Sequence, residues 1–287
     1  MTDIKYIQPP HRRLLLLALT FIAGLCLTGV LSYLIGSIAG PARMLPAMRI
    51  ATVVQDVVML VLPAVVTAMM VTRTPARLLG IQSSPSPLAY FLAIAALLFA
   101  SPFMSVIIEW NASLHFPRSM SALEQALRLM EQNAEAGVNL ILGPHTPANL
   151  VMSLLLVAVL AGFSEELFFR GTMQRILCGT AMSPAVAVWL TACVFSAVHF
   201  QVFGFVPRMI LGAYFGYLML WSGSVWLPMA VHVTNNALFV ILRYTTGSGE
   251  PQFSHDQYSS LLVTASLILT AGAIAALHFI LRNQKSK

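Results

Sequence analysis

The stretch LLLLALTFIAGLCLTGVLSYLIGSIA, residues 14–39, contains no charged residue. In lipid a chain finds no water for its backbone N–H and C=O groups, so only helices and closed barrels can cross. About 20 apolar residues suffice for a helix to do so, and this run has them. It follows Arg12 and Arg13 as the core of a signal peptide follows its basic start. Such cores end by about 15 residues, so the run reads as a retained transmembrane helix. Seven further apolar runs, 51–72, 87–108, 148–169, 184–200, 207–222, 226–243 and 260–281, fit the same template. The fold expected is therefore all-α: a polytopic integral-membrane helical bundle of about eight transmembrane helices. It forms a single domain over residues 1–287, without a soluble domain or internal repeat.

Composition agrees. Charged residues make up 9 % of the chain and the mean hydropathy is +0.81, whereas a soluble domain carries about 25 % charge. The net charge of +6 is no nucleic-acid footprint here, because Lys and Arg on a membrane protein chiefly fix orientation. With eight spans both termini share one side. That side collects ten Lys and Arg, from Lys5 to Lys287, against six on the other. The bias favours termini in the cytoplasm and sets Glu165, Glu166 and Arg170 at the cytoplasmic end of the fourth span. Cys26, Cys178 and Cys193 are scattered through apolar segments and suggest neither disulfides nor a zinc knuckle.

The longest loop, residues 109–147, holds a helical stripe of Leu123, Ala126, Leu127 and Met130. Ser121 and Glu124 stand at capping-box spacing before it. The stripe fits either a lid lying in the interface or a helix packed on the bundle. His115, His145 and His255 fall in loops, and His278 in the last span reads as structural. Gly212 and Gly216 read as close helix packing, and Glu109 with Trp110 as an interfacial anchor.

Ionisable groups inside spans are functional candidates by default, because even lenient scales charge about 2.5–3.5 kcal/mol for each at a helix centre. Glu166 and Arg170 are four apart and can pair. Glu165 is turned about 100° away, its carboxylate free for another partner. "FSAVH" sets Phe195 and His199 on one face, and "HVTNN" sets His232 above Asn236. A carboxylate, an imidazole and a His/Asn donor pair are the parts of a hydrolase that attacks with water: a base takes the proton and donors hold the oxyanion. GxSxG and HExxH are both absent. Asp56, beside Gln55 in the second span, has no partner in the sequence. It fits a structural contact or a substrate path.

In order, EELFFR, FSAVH and HVTNN fit EExxxR, FxxxH and HxxxN. The chain thereby resembles the CPBP family of intramembrane proteases, which includes type II CAAX prenyl endopeptidases and abortive-infection or bacteriocin-processing proteins. The resemblance covers residues 148–243, about a third of the chain. It implies a catalytic core in which Glu165 and His199 activate water. His232 and Asn236 would form the oxyanion hole, and Glu166 with Arg170 would support the site. It implies membrane lipids and a membrane-associated or lipidated, CAAX-like protein as partners, with no nucleic acid. It implies no cofactor; the alternative is zinc, held by Glu165, His199 and His232. A non-catalytic immunity or assembly factor on the same scaffold is the competing reading. The expected location is a bacterial inner membrane, with both termini cytoplasmic.

Overall fold

The computed structural model describes residues 4–40, 43–246 and 259–285; His255 and Lys287 lie outside them. The protein is an all-α polytopic membrane bundle. Among the described residues the β-structure is a lone antiparallel bridge between Tyr6 and Thr72. In chain order the longer helices are α1 (Pro10–Ala39), α2 (Met44–Val71), α3 (Pro87–Phe99), α4 (Ser101–Ala112) and α5 (Ser121–Leu142). They are followed by α6 (Pro147–Cys178), α7 (Pro184–Ala197), α8 (Val202–Ser222), α9 (Trp226–Thr246) and α10 (Ser260–Lys285).

Among the described residues five helices, α1, α2, α6, α8 and α10, are long and apolar enough to cross a membrane. A sixth span forms if α3 and α4 are taken as one helix bent by 48°. The bend falls at Ala100, just before Pro102, whose ring removes an N–H and crowds the preceding turn. The sequence count of eight exceeds this. The run 184–200 forms only the 14-residue α7, about 21 Å long at 1.5 Å per residue, against a hydrocarbon core of about 30 Å. The run 226–243 forms the 21-residue α9, but His232, Thr234, Asn235, Asn236 and Arg243 lower its apolar character.

The helix starts are locally encoded. Thr146 accepts a hydrogen bond from Asn149 N–H ahead of Pro147, and Ser183 accepts one from Val186 N–H ahead of Pro184. A hydroxyl at the cap with proline in the first turn satisfies the free N–H groups and presets φ. Around the middle of the bundle two buried clusters form. One joins α1, α2 and α6 through Leu17, Leu60, Ala64, Leu167 and Phe168. The other joins α3, α8, α9 and α10 through Ala93, Phe215, Val231 and Leu277. The seam between them, where α6, α8 and α9 meet, is where the polar side chains are buried.

The 109–147 region is helical over Ser121–Leu142, but the expected capping box does not form. The N-cap is Met120, without a side-chain cap bond. Glu124 instead folds back on the preceding loop, accepting from Phe116 N–H (2.9 Å), His115 Nδ1 (2.9 Å) and Arg128 Nε (3.0 Å). These donors hold its carboxyl down at about 2. No residue of α5 is buried, yet the helix is tethered. Arg49 donates to Ile141 O and Leu142 O at its C-terminal end, and Glu131 accepts from Phe203 N–H at 2.7 Å. It packs on the bundle surface by polar anchors.

Candidate active site

The helix that carries Glu165 does not end beside it. Sequence hydropathy drops at the charged cluster, yet α6 runs to Cys178, about 20 Å past Glu165 by helical rise. The reason is that Glu166, Arg170, Gln174 and Arg175 each find a partner inside the protein. Eight-span alternation would also set Glu165 and His199 near opposite membrane faces. In the fold His199 nonetheless comes within electrostatic range of Glu165.

Two stretches of α6 are wound as π-helix, Leu154–Leu160 and Leu167–Gln174, with Glu165 and Glu166 in the α-helical turn between. Such wide turns often mark functional positions. Arg170 and Glu166 are fully buried, 0 % exposed, and pair at 2.7 Å. The other arm of the guanidinium, Nη2, donates to Gly212 O on α8 at 3.0 Å. The rings of Phe195, Phe215 and Phe169 surround the cation, with centroids 4.4, 5.3 and 5.9 Å from its carbon. Aromatic faces partly replace lost hydration of a buried cation.

The same Glu166 oxygen accepts from His232 Nδ1 at 2.8 Å. With that nitrogen committed as donor, the ring turns Nε2 toward Glu165, 3.7 Å from its Oε2. That is too long for a hydrogen bond, so the two atoms face a common space without bonding directly. Phe215 stacks on the imidazole, centroids 4.8 Å apart and planes at 26°. Glu165 is the outermost carboxylate, its side chain 19 % exposed against 0 % for Glu166.

His199 lies just past the end of α7. Its Nδ1 donates to Phe195 O at 2.7 Å, satisfying a carbonyl that the ending helix leaves open. The tautomer is thereby fixed, and Nε2 is left as the lone-pair nitrogen. Phe195 sets its edge to His199 and to His232, with centroids 5.2 and 6.0 Å apart. His199 is in electrostatic range of Glu165, His232 and Arg208. One turn beyond His232, Asn236 donates from Nδ2 to Val157 O in the first π stretch, at 3.1 Å, and accepts from Asn235 Nδ2 at 3.3 Å. All six motif residues therefore gather on the α6–α7–α9 seam. Ser164, the nearby hydroxyl, is fully buried and donates to Ala161 O, so it is not poised as a nucleophile.

Among the described residues no group of three His, Cys, Asp or Glu side chains is arranged to hold a metal ion. In the zinc alternative the ligands would be Glu165, His199 and His232, the last through Nε2 with its Nδ1 held by Glu166.

Some contributors were not read from the sequence. Gln174 is fully buried and donates to Gly216 O at 2.9 Å, so Arg170 and Gln174 on α6 bond Gly212 and Gly216 on α8 rung by rung. A methyl at Gly216 would stand 2.8 Å from Val188 Cγ1 and 2.9 Å from Gln174 Oε1. The matched four-residue spacings of the two pairs were the available signal. Arg208 interacts with Glu165 and Glu131, although alternation had set it on the opposite face.

Residues 147–238 match the family model of type II CAAX prenyl endopeptidase Rce1-like proteins. The segment is similar to that family, to which its motifs pointed. Every motif residue from Glu165 to Asn236 falls inside it. Among curated proteins the chain is similar to the uncharacterized protein YpbD of Bacillus subtilis (strain 168), 24 % identical over 90 residues. That match covers 30 % of this chain and 43 % of YpbD, so it spans less than half of the relative's length. No solved structure matches the chain.

Proposed function

We propose that the chain is an intramembrane endopeptidase that hydrolyses a peptide bond of a membrane-associated protein with a water activated by Glu165. The observation that carries this reading is the facing of Glu165 and His232 Nε2 across 3.7 Å, with the imidazole fixed from behind by the buried Glu166–Arg170 pair. Buried charges need partners. Arg170 Nη1 and His232 Nδ1 both pair with Glu166 Oε1, which leaves the more exposed Glu165 carboxylate for other work.

Water beside Glu165 gives a proton to its carboxylate, helped by His199 Nε2, while the oxygen bonds to the scissile carbonyl carbon. The oxyanion so formed is met by His232 Nε2–H and by Asn236. To donate from both nitrogens the His232 ring carries two protons, its charge lying between Glu165 and Glu166. When the C–N bond breaks, the proton held by Glu165 passes to the leaving amine. Nothing in this sequence calls on a metal ion. Rce1-like likeness supports a substrate anchored at the membrane, in the manner of a lipidated CAAX chain. A cavity of about 420 Å³, lined by Ser153, Val240 and Arg243 among others, continues the α6–α9 seam one turn beyond Asn236 and Val157. The substrate chain would approach along it. Six spans, with α3 and α4 taken as one, would keep both termini on one side, and the charge bias together with the bacterial relative fits the cytoplasmic side of a bacterial inner membrane.

The test is purified protein in chelator-treated vesicles, incubated with a solubilised membrane-protein extract and read by mass spectrometry of new termini. Cleavage by the wild type is expected to survive the chelator. Asn236→Ala is expected to lower it about 10²- to 10³-fold, as loss of an oxyanion donor does. Folded wild type without cleavage, or cleavage lost with chelation, would contradict the reading.

A further inference from the structure

One end of the bundle collects cations without acids. Residues 5–7, 72–80, 175–179 and 222–226 meet there, at the end of α6 that reaches Cys178. Ile7 N–H donates to Val71 O at 2.9 Å, and Thr72 Oγ1 donates to Lys5 O at 3.0 Å. The Tyr6 hydroxyl donates to Arg175 O at 2.8 Å, and Val225 N–H donates to Gly80 O at 3.1 Å. With the start of α1 these segments carry Lys5, Arg12, Arg13, Arg73, Arg77 and Arg175 but no Asp or Glu. None of the six forms an ion pair among the described residues.

Two of these cations, Arg13 and Arg175, are buried. Arg13 donates from Nη2 to Gly179 O at 2.9 Å and stacks 3.8 Å over the Tyr6 ring, but its Nε and Nη1 have no partner. Arg175 donates to Gly223 O at 3.2 Å. Carbonyl oxygens hydrogen-bond a cation without cancelling its charge, and a buried charge calls for a counter-charge. The other four are exposed. Three of them, Lys5, Arg73 and Arg77, line a cavity of about 330 Å³ together with Tyr6, Ile7 and Thr74.

We propose that this cavity binds the phosphate of an anionic phospholipid headgroup. Like charges gathered around one cavity repel unless a counter-ion enters. The backbone bonds between residues 5–7 and 71–72 hold the segment of Lys5 beside that of Arg73 and Arg77, so the three cannot simply drift apart. Arginine takes a phosphate through two parallel N–H bonds, and lysine takes it as a point charge. The stack of Arg13 on Tyr6 adds a fourth positive charge next to a residue of the cavity wall.

The position selects a lipid over a soluble phosphate. α1 begins at Pro10 and α2 ends at Val71, so the cavity lies where two candidate spans leave the hydrocarbon. Its wall includes the half-exposed Ile7, and Met69 and Met70 in the last turn of α2 are exposed apolar side chains. A lipid answers both surfaces, its phosphate at the cations and its acyl chains along the helices. A soluble phosphate answers the cations alone. Basic pockets at the ends of spanning helices recognise headgroups in this way. Glu165 lies ten residues before Arg175 on α6, about 15 Å away by helical rise, so the site stands whether or not the chain cleaves a substrate.

The test is native mass spectrometry of the purified full-length chain in detergent, titrated separately with phosphatidylglycerol, phosphatidylcholine and inorganic phosphate. Each cation beside an anionic headgroup is worth about fivefold in association. The wild type is therefore expected to hold one phosphatidylglycerol about 100-fold more tightly than phosphatidylcholine. Arg73→Gln/Arg77→Gln should weaken that binding about 25-fold. Arg12→Gln/Arg282→Gln removes the same charge from exposed positions outside the cavity, and should weaken it by less than about threefold. Equal losses in the two double variants would reduce the effect to general surface charge and overturn the site. Phosphatidylglycerol held no better than phosphatidylcholine would overturn it too, as would inorganic phosphate held as tightly as the lipid. Lys5→Gln, expected to cost about fivefold, keeps the test decisive if the Arg73/Arg77 variant folds poorly.

Discussion

At the scale of single residues, the centre of the site is Arg170. Its fork spans two acceptors on different helices, Glu166 on its own and Gly212 O on α8, and three phenyl rings enclose it. Lysine is a point charge without that fork. Arg170→Lys is therefore expected to leave Gly212 O or Glu166 without its donor. Breaking a buried pair destabilises by about 3–5 kcal/mol, and the loss should appear as a lower midpoint of thermal unfolding in detergent. An unchanged midpoint would mean that the pair is dispensable. The Glu166–Arg170 pairing was legible from four-residue spacing alone. The bond from Glu166 to His232 was not, because the two residues are 66 apart in the chain. The resemblance set Glu165 to work with His199; the imidazole at ion-pair distance from Glu165 is that of His232, with His199 in electrostatic range.

Among the elements, apolar length predicted the long helices well and their ends poorly. Hydropathy ended the fourth span at residue 169, but a helix continues wherever its polar side chains find partners within the bundle. Arg170, Gln174 and Arg175 all do so through carbonyls of residues 212–223. α5 illustrates the opposite case, a helix whose cap was misread because Glu124 had stronger donors in the preceding loop than its own N-terminus. Its carboxyl ionises at about 2 against an ordinary 4.5. A depressed carboxyl contributes stability that is fully present above the ordinary value and is lost as pH falls through the folded one. The Phe116 tether should accordingly hold down to about pH 4.5 and weaken toward pH 2. Hydrogen exchange at Phe116 N–H reads this directly. Glu124→Gln should abolish the acid dependence, and exchange that stays pH-independent in the wild type, after correction for intrinsic rates, would refute it.

For the molecule as a whole, the sequence made the membrane class, the helical bundle and the motif-bearing segment legible, because composition and short spacings are local properties. It did not reveal that the run 184–200 would form only a 14-residue α7 or that the polar groups of α9 would take it out of the count of spans. Those depend on what each polar group meets after packing. In the folded bundle four charged or polar side chains, Glu166, Arg170, His232 and Gln174, close on one another and on α8, leaving Glu165 facing His232 Nε2. The central claim is that this framework exists to make Glu165 a base. Its most direct test compares peptide termini in membranes of cells expressing the wild type or Glu165→Gln at equal levels. The swap keeps size and hydrogen bonding, and at a partly exposed position it should leave the unfolding midpoint unchanged. Termini formed with the wild type and absent with Glu165→Gln are the expected result. Identical terminus profiles from two folded proteins would contradict it and favour a non-catalytic role for the same scaffold.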